Sequence, residues 1–430
     1  MFRLKIYLIL FLFFSKIYTS DQIPGIAQNK PILLKGGVLH TIESGTLYNV
    51  DLLFDNGVIQ KIGNEVITPD NTEIINIKGK HVYPGLISAC STLGLQEIGS
   101  IRATRDYAEV GSINPNVRAN VSYNPDSELI PISRSNGILA SLVVPRSGLI
   151  SGQSSLMILD GWTWEDATFR HPIGIHIFWP RLKFSKEKLR TNKKDSKKNL
   201  IQNIDNYFSE TLAYSKIKQK NDLTFKHDLK LDAMEQVVLG ELPLFVHANE
   251  ISQIESAVYW AKRQNIKIII VGGKDSWRLA GLLKENNIPV IYTQTFSTPG
   301  RRYESFDQSY KTPSILFEEG VKFCISNSES PFQTPHIRNL PYYAAKAASY
   351  GLPWDEALRS ITLSTAEILG VQKRIGSLSI GKDATLFISD GDILDVRTNV
   401  EMAFINGRSV DLSDHHKDLY YKYQKKYDIK

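Results

Sequence analysis

The chain has 430 residues, 42% of them hydrophobic and 22% charged, which is enough for one large domain and a smaller one, each with its own core, and argues against disorder. Its formal net charge of +6 is local: residues 181–198 hold nine Lys or Arg against Glu187 and Asp195, an excess of +7 that leaves the remainder at −1. With no aromatic beyond Phe184 and no nucleic-acid motif around it, this run argues against a nucleic-acid partner and reads as a solvated loop or helix face, or a patch for anionic envelope lipid or polysaccharide.

In MFRLKIYLILFLFFSKIYTS, residues 1–20, Arg3 and Lys5 precede an apolar run from Ile6 to Phe14, and small residues follow. This is the pattern of a secretory signal peptide, and the run is too short for a bilayer span of about 20 residues. The mature protein is therefore expected to be periplasmic or secreted, without an integral membrane span. It contains only Cys90 and Cys324, which rules out a disulfide framework and a zinc site built of thiolates.

After the signal, PILLKGGVLHTIESGTLYNVDLLFDNGVIQKIGNE alternates short β-rich runs with Gly, Asn and Asp turns, and GSLSIGKDATLFISDGDILDVRTNVEMAFINGRSV near the other end has the same texture. These segments predict one small β-sandwich domain assembled from 21–82 and 372–412, with 83–371 inserted between them. Inside the insertion, strand candidates fall at 138–144, 173–178, 242–248, 266–273, 288–293 and 321–326. Helical patterns follow several of them, and two more lie near 341–350 and 354–369. Apolar strands alternating with helices argue for a parallel sheet, with enough units for a (β/α)8 TIM-like barrel; an open doubly wound sheet is the alternative, and no GxGxxG supports a dinucleotide. The polar insertion 95–135 directly follows the first barrel strand and is expected to lie as a lid over the C-terminal face, bringing Glu97 and Asp106 towards a ligand. The Lys- and Tyr-rich segment 413–430 reads as a C-terminal surface helix.

The succession of a β-rich segment, GKHVYPGLISACSTLGL (79–95), VVPRSGLISGQSS (143–155), FVHANE (245–250), IIIVGG (268–273), and STAEILG followed by GSLSIGKDATLFI resembles the amidohydrolase superfamily, imidazolonepropionase-like branch, over residues 31–410. The resemblance implies hydrolysis of carbon–nitrogen bonds other than peptide bonds and a divalent metal, zinc, in catalytic relatives. It also implies where ligands belong. Catalytic members end the first strand PGLIDAHTHLG, with two inward histidines, whereas this chain has Ser88 at the Asp position and Cys90 and Thr92 at the histidines. His247 matches the fifth-strand histidine. The sixth-strand position falls on Gly272 and the last-strand aspartate on Asn327 or Ser328, and IGIHIF offers no Lys.

A single imidazole cannot hold zinc, so no metal cofactor is expected, and Cys90, Thr92, Gly272, Asn327 and Ser328 read as vestigial positions. His247 with Glu250 forms a candidate general-base pair, against the plainer reading of His247 as a hydrogen-bonded remnant. Glu97, Asp106, Gly152 and Asn249 are candidate substrate contacts, Gly152 because backbone amides of a Gly-rich loop can cradle an anion. His171 and His176, five residues apart, should face opposite ways along a strand; His40, His81 and His336 fit no ligand spacing. The functions in play are a hydrolase, a catalytically inactive binder of a small molecule, and a partner-binding envelope protein, with homo-oligomerisation left open. N-terminal sequencing of the mature protein should find a start close to Asp21; full-length chain in carbonate-washed membranes would contradict the signal peptide.

Overall fold

The computed structural model describes residues 22–181, 194–220, 225–327 and 330–427. The signal-peptide segment, most of the basic 181–198 run and Ser328 lie outside the described residues.

One sheet draws on both ends of the chain. Strands β1 (Ile32–His40), β2 (Thr46–Asp55), β3 (Val58–Gly63), β4 (Glu73–Asn76) and β5 (His81–Pro84) come from the front, and β14 (Leu386–Ser389), β15 (Val400–Ile405) and β16 (Arg408–Val410) from the back. Their order is β16-β15-β14-β5-β1-β2-β3, with β4 beside β1. Two Asn-Gly turns, Asn56–Gly57 and Asn406–Gly407, have positive φ at both residues, the conformation tight hairpins need. Their tips touch: a Cβ on Gly57 would lie 2.8 Å from the Asn406 carbonyl oxygen. The domain is therefore a single sheet curled until its hairpins meet, rather than two separate sheets. Leu34, Leu52, Ile388 and the Phe54–Phe404 edge contact, centroids 5.1 Å apart, fill its inside.

The second sheet runs in chain order through β6 (Leu86–Ser91), β7 (Ile138–Val143), β8 (Ile150–Ile158), β9 (Thr168–Phe178), β10 (Leu244–Ala248), β11 (Ile268–Gly272), β12 (Val290–Tyr292) and β13 (Phe323–Ile325). It forms a nearly closed barrel; at its seam the Ile87 amide donates to the Ile361 carbonyl, 2.9 Å, between two C-terminal helices. Ile87, Leu142, Phe245, Ile269, Val271, Ile291 and Cys324 pack the interior. Cys90 and Cys324 are both buried and form no disulfide with each other, and burial pushes the Cys324 thiol up to about 12.

Two expectations are corrected. Strand β8 is antiparallel to β7 and β9, so one βα unit of the expected eight is replaced by a β-meander, and the segment read as a Gly-rich loop is mostly strand. Serines disguised it: Ser151, Ser154 and Ser155 are fully buried, and the Ser151 and Ser154 hydroxyls donate to the His176 and Gly174 carbonyls, both at 3.3 Å. Nor is the 95–135 insertion simply a lid. Residues 112–118 run beside β8, where the Leu149 amide donates to the Ser112 carbonyl (2.7 Å) and the Gln153 amide to the Val117 carbonyl (2.8 Å), so they extend the barrel wall.

Sheet and barrel are joined by a buried carboxylate. Asp160, just past β8, lies 3.6 Å from the Arg134 guanidinium and 3.2 Å from that of Arg408 on β16, and accepts from the Gly25 amide at 3.2 Å. Removing one partner of a buried pair strands the other charge. Asp160→Asn should therefore lower unfolding stability by about 3–5 kcal/mol in urea, whereas Arg374→Ala, which breaks the exposed pair with Asp383, should cost about 1 kcal/mol or less.

His40 on β1 and His81 on β5 share a hydrogen bond of 2.9 Å, and the His40 ring stacks on Tyr83 at 4.2 Å. Burial, then the neighbouring His81, lowers His40 to about 4 against the opposing pull of Asp392. The unfolded chain protonates this imidazole near its ordinary value of about 6.5, so the stabilisation is complete above that pH and is lost as pH falls towards 4. The urea midpoint should drop across this window, and His40→Gln should flatten the drop; an unchanged slope would contradict the assignment.

Candidate functional site

At the C-terminal ends of β9 and β10 the strand register brings aromatic rings together inside the barrel. His176 pairs in register with Phe245, and Phe178 with His247. A Cβ on Gly174 would lie 2.2 Å from the Phe245 ring, so glycine there makes room for that ring. His176 then stacks on Phe245 at 4.6 Å, Phe178 stacks on His247 at 4.2 Å, and His176 Nδ1 meets His247 Nε2 at 2.9 Å. His176 is fully buried. Burial first, then the His247 and Arg146 charges, hold it well below the usual imidazole range, so it is neutral. Its Nδ1 shares the hydrogen bond with His247, while its Nε2 has no hydrogen-bond partner.

Arg146, in the segment between β7 and β8, brings a cation to this group. Its guanidinium carbon lies 5.4 Å from the Phe178 ring centroid, and its Nη1 is buried without a hydrogen-bond partner. Its backbone amide donates to the Tyr107 carbonyl at 2.6 Å, tying it to the 95–135 insertion. Sequence reasoning missed both residues. It tested His176 only against His171 on the same strand, whereas the partner sits one strand over, and His171 instead meets the Ser155 hydroxyl at 2.8 Å. The available signal was a histidine near the end of each of two successive strand candidates, IGIHIF and LPLFVHA.

The other expected residues are placed as follows. Gly152 lies in β8 opposite His176 in register; its φ is +133°, and a Cβ there would meet the Val117 carbonyl oxygen at 2.6 Å, so it admits the 112–118 segment to the wall. Asn249 accepts from the Lys274 amide at 3.3 Å. Glu250 is the N-cap of the helix Ile251–Gln264, where it forms a capping box with Gln253. Beside it Asp275 accepts from the Ile251 amide (3.0 Å) and is gripped by both terminal nitrogens of Arg301 (2.8 and 2.6 Å), which also bonds Glu304. This clamp holds the loops after β10, β11 and β12 together at the site's end of the barrel. The Glu97 carboxylate accepts from the Asn124 amide at 3.3 Å, and burial raises its pKa. Asp106 is exposed, with its amide bonded to the Leu95 carbonyl at 2.8 Å.

The donor set does not match the zinc implied by the resemblance. Cys90 sits where the pairing of β6 with β7 slips, between Ser88↔Ser141 and Ser91↔Val143. The Thr92 hydroxyl is bonded to that of Thr334 at 2.6 Å, and the Asn327 amide donates to the His336 carbonyl at 2.9 Å. Gly272 has φ +102°, and a Cβ there would lie 2.6 Å from Asn249 Oδ1, so an imidazole at the sixth-strand position would strain the backbone and displace the Asn249 side chain. His176 and His247 turn ring nitrogens towards each other. Among the described residues no group of three or more His, Cys, Asp or Glu is arranged to hold a metal ion, whereas catalytic zinc takes three protein ligands. These residues do not fit a catalytic zinc.

Residues 326–410 match the amidohydrolase family. Over 441 aligned residues the chain is 21% identical to an amidohydrolase, tasK, of Hapsidospora irregularis, with 91% of this chain but 42% of that protein covered, so it spans less than half the length of that relative. It is 24% identical over 382 residues to an imidazolonepropionase of Treponema denticola, covering 80% of this chain and 86% of that protein. The crystal structure of an amidohydrolase from Thermotoga maritima MSB8 superimposes with a TM-score of 0.78 at 27% identity, covering 88% of this chain and 99% of that one. Likeness across barrel and sheet together, with the family's C-terminal return present, supports the amidohydrolase superfamily, imidazolonepropionase-like branch, as the family this chain resembles.

Proposed function

We propose that this chain binds, at the C-terminal mouth of its barrel, a small molecule of the class its relatives act on: a compound with a non-peptide carbon–nitrogen bond and an acidic group, taken up without metal-hydroxide chemistry. The observation that supports this reading is a set of buried polar atoms without a protein partner at the ends of barrel strands, namely His176 Nε2, Arg146 Nη1 and Ser326 Oγ. Buried polar groups are ordinarily satisfied, and exceptions gather where ligands bind. Arg146 would take the acidic group, His176 Nε2 would hydrogen-bond the ligand, and Phe178 would flank its flat part. The protein would work in the periplasm or outside the cell, as its leader implies.

A second reading is hydrolysis of that bond, with His247 and Glu250 as proton acceptors. The likeness to an imidazolonepropionase over 80% of the chain favours it. Against it stand the hydrogen bond between the two imidazoles and the capping role of Glu250.

Titration calorimetry with N-acyl amino acids, hydantoins and carboxylate-bearing lactams, in the presence of chelator, should find a binder whose affinity falls about tenfold or more in Arg146→Ala, the size expected for a charged hydrogen bond. Metal content by mass spectrometry should be substoichiometric and unchanged in His247→Ala. Turnover that requires added zinc or manganese, with one metal equivalent lost in His247→Ala, would overturn this reading in favour of hydrolysis.

A further inference from the structure

The last helix, His415–Lys426, has no buried residue. What fastens it is at its start: the buried Asp414 side chain accepts from the His416 and Lys417 amides at 2.8 and 3.2 Å, and Lys417 Nζ donates to the Leu412 carbonyl at 2.6 Å. Twelve residues make a marginal helix in water alone. At 3.6 residues per turn, Leu419, Tyr420, Tyr423 and Tyr427 fall on one stripe, and they are 37%, 62%, 47% and 61% exposed. The Tyr423 and Tyr427 rings stack at 6.3 Å, and Lys426 Nζ lies 5.8 and 4.8 Å from their centroids. Lys426 and Lys417 flank the stripe on either side. With Lys422 and Lys425 on the far face and Asp418 the one acid, the helix carries a net +3.

We propose that the helix His415–Lys426 is an interfacial foot that seats the protein on an anionic lipid surface. Phenol rings are amphipathic and settle at headgroup level, and lysines beside such a stripe reach lipid phosphates. Charge decides the occupant: a second copy of this helix would set lysine against lysine around the same stripe, whereas an anionic bilayer neutralises them. No helix among the described residues is long and apolar enough to cross a membrane, and the proposed attachment does not depend on what the barrel binds.

The test is cosedimentation of the mature full-length protein with vesicles of phosphatidylcholine alone or mixed with phosphatidylglycerol. Binding to the mixed vesicles, weakened by salt and absent on phosphatidylcholine, is expected. The charge-reversed variant K422E/K425E/K426E, which leaves the Lys417 fastening intact, should lose it, and Tyr420→Ser with Tyr423→Ser should weaken it about tenfold. Because no residue of the helix is buried, the thermal midpoint of the barrel should not move in either variant. No binding to mixed vesicles would overturn the proposal. So would binding that survives these variants but disappears when the lysines of 183–198 are reversed. A concentration-dependent dimer abolished by the tyrosine variant would make the stripe a self-interface and overturn it as well. Inorganic polyphosphate bound equally by parent and tyrosine variant, with no vesicle binding, would point to a soluble polyanion instead.

Discussion

The hydrogen bond between His176 and His247 depends on parallel pairing between β9 and β10 that offsets the two histidines by two residues. That offset stacks each ring on a phenylalanine of the neighbouring strand and leaves their nitrogens facing each other. In a relative that binds metal, the fifth-strand imidazole must direct a lone pair at the cation. Here His247 Nε2 is engaged with His176, which burial keeps neutral. The chemistry open to this end of the barrel is therefore that of a pair of coupled imidazoles beside a guanidinium.

The rest of the mouth is arranged consistently with that. A glycine in the left-handed region at 272 lets Asn249 come within contact of the β11 backbone, where a side chain would collide. Thr92 and Asn327 are turned into structural hydrogen bonds with Thr334 and His336, both in the 3-10 segment Pro331–Asn339. That segment packs against the end of β6. Positions that the resemblance equates with metal ligands are thus knitted to neighbouring protein.

Fold and site are connected through β8. Running antiparallel, it carries the chain away from the mouth to Asp160, where Arg134 and Arg408 bind the barrel to the curled sheet. Its upper half lies between β9 and residues 112–118, and Gly152 is the point where that third backbone comes close. The same strand therefore supports His176 from one side and anchors the sheet domain from its far end.

Most of the architecture was legible in the sequence because it is written in local patterns. Largely apolar runs of seven and eight residues, LPLFVHA and IKIIIVGG, marked barrel strands, and Gly, Asn and Asp turns marked the hairpins of the sheet domain. The resemblance also implied ligand positions at which this chain carries other residues, an expectation that rests on residue identity along one chain. Strand β8 was not legible: its buried serines satisfy their hydroxyls through β9 carbonyls, and a hydroxyl bonded that way looks polar until the neighbouring strand is known. Nor was the pairing of His176 with His247, or of His40 with His81, because lateral register between strands is set by the packing of the whole barrel or sheet and not by spacing along either segment. The sequence by itself determined which side chains exist and which segments are strands or helices. Only the tertiary structure decided which of those side chains face one another, because that depends on backbone hydrogen bonds between segments separated by 71 residues in one case and 41 in the other.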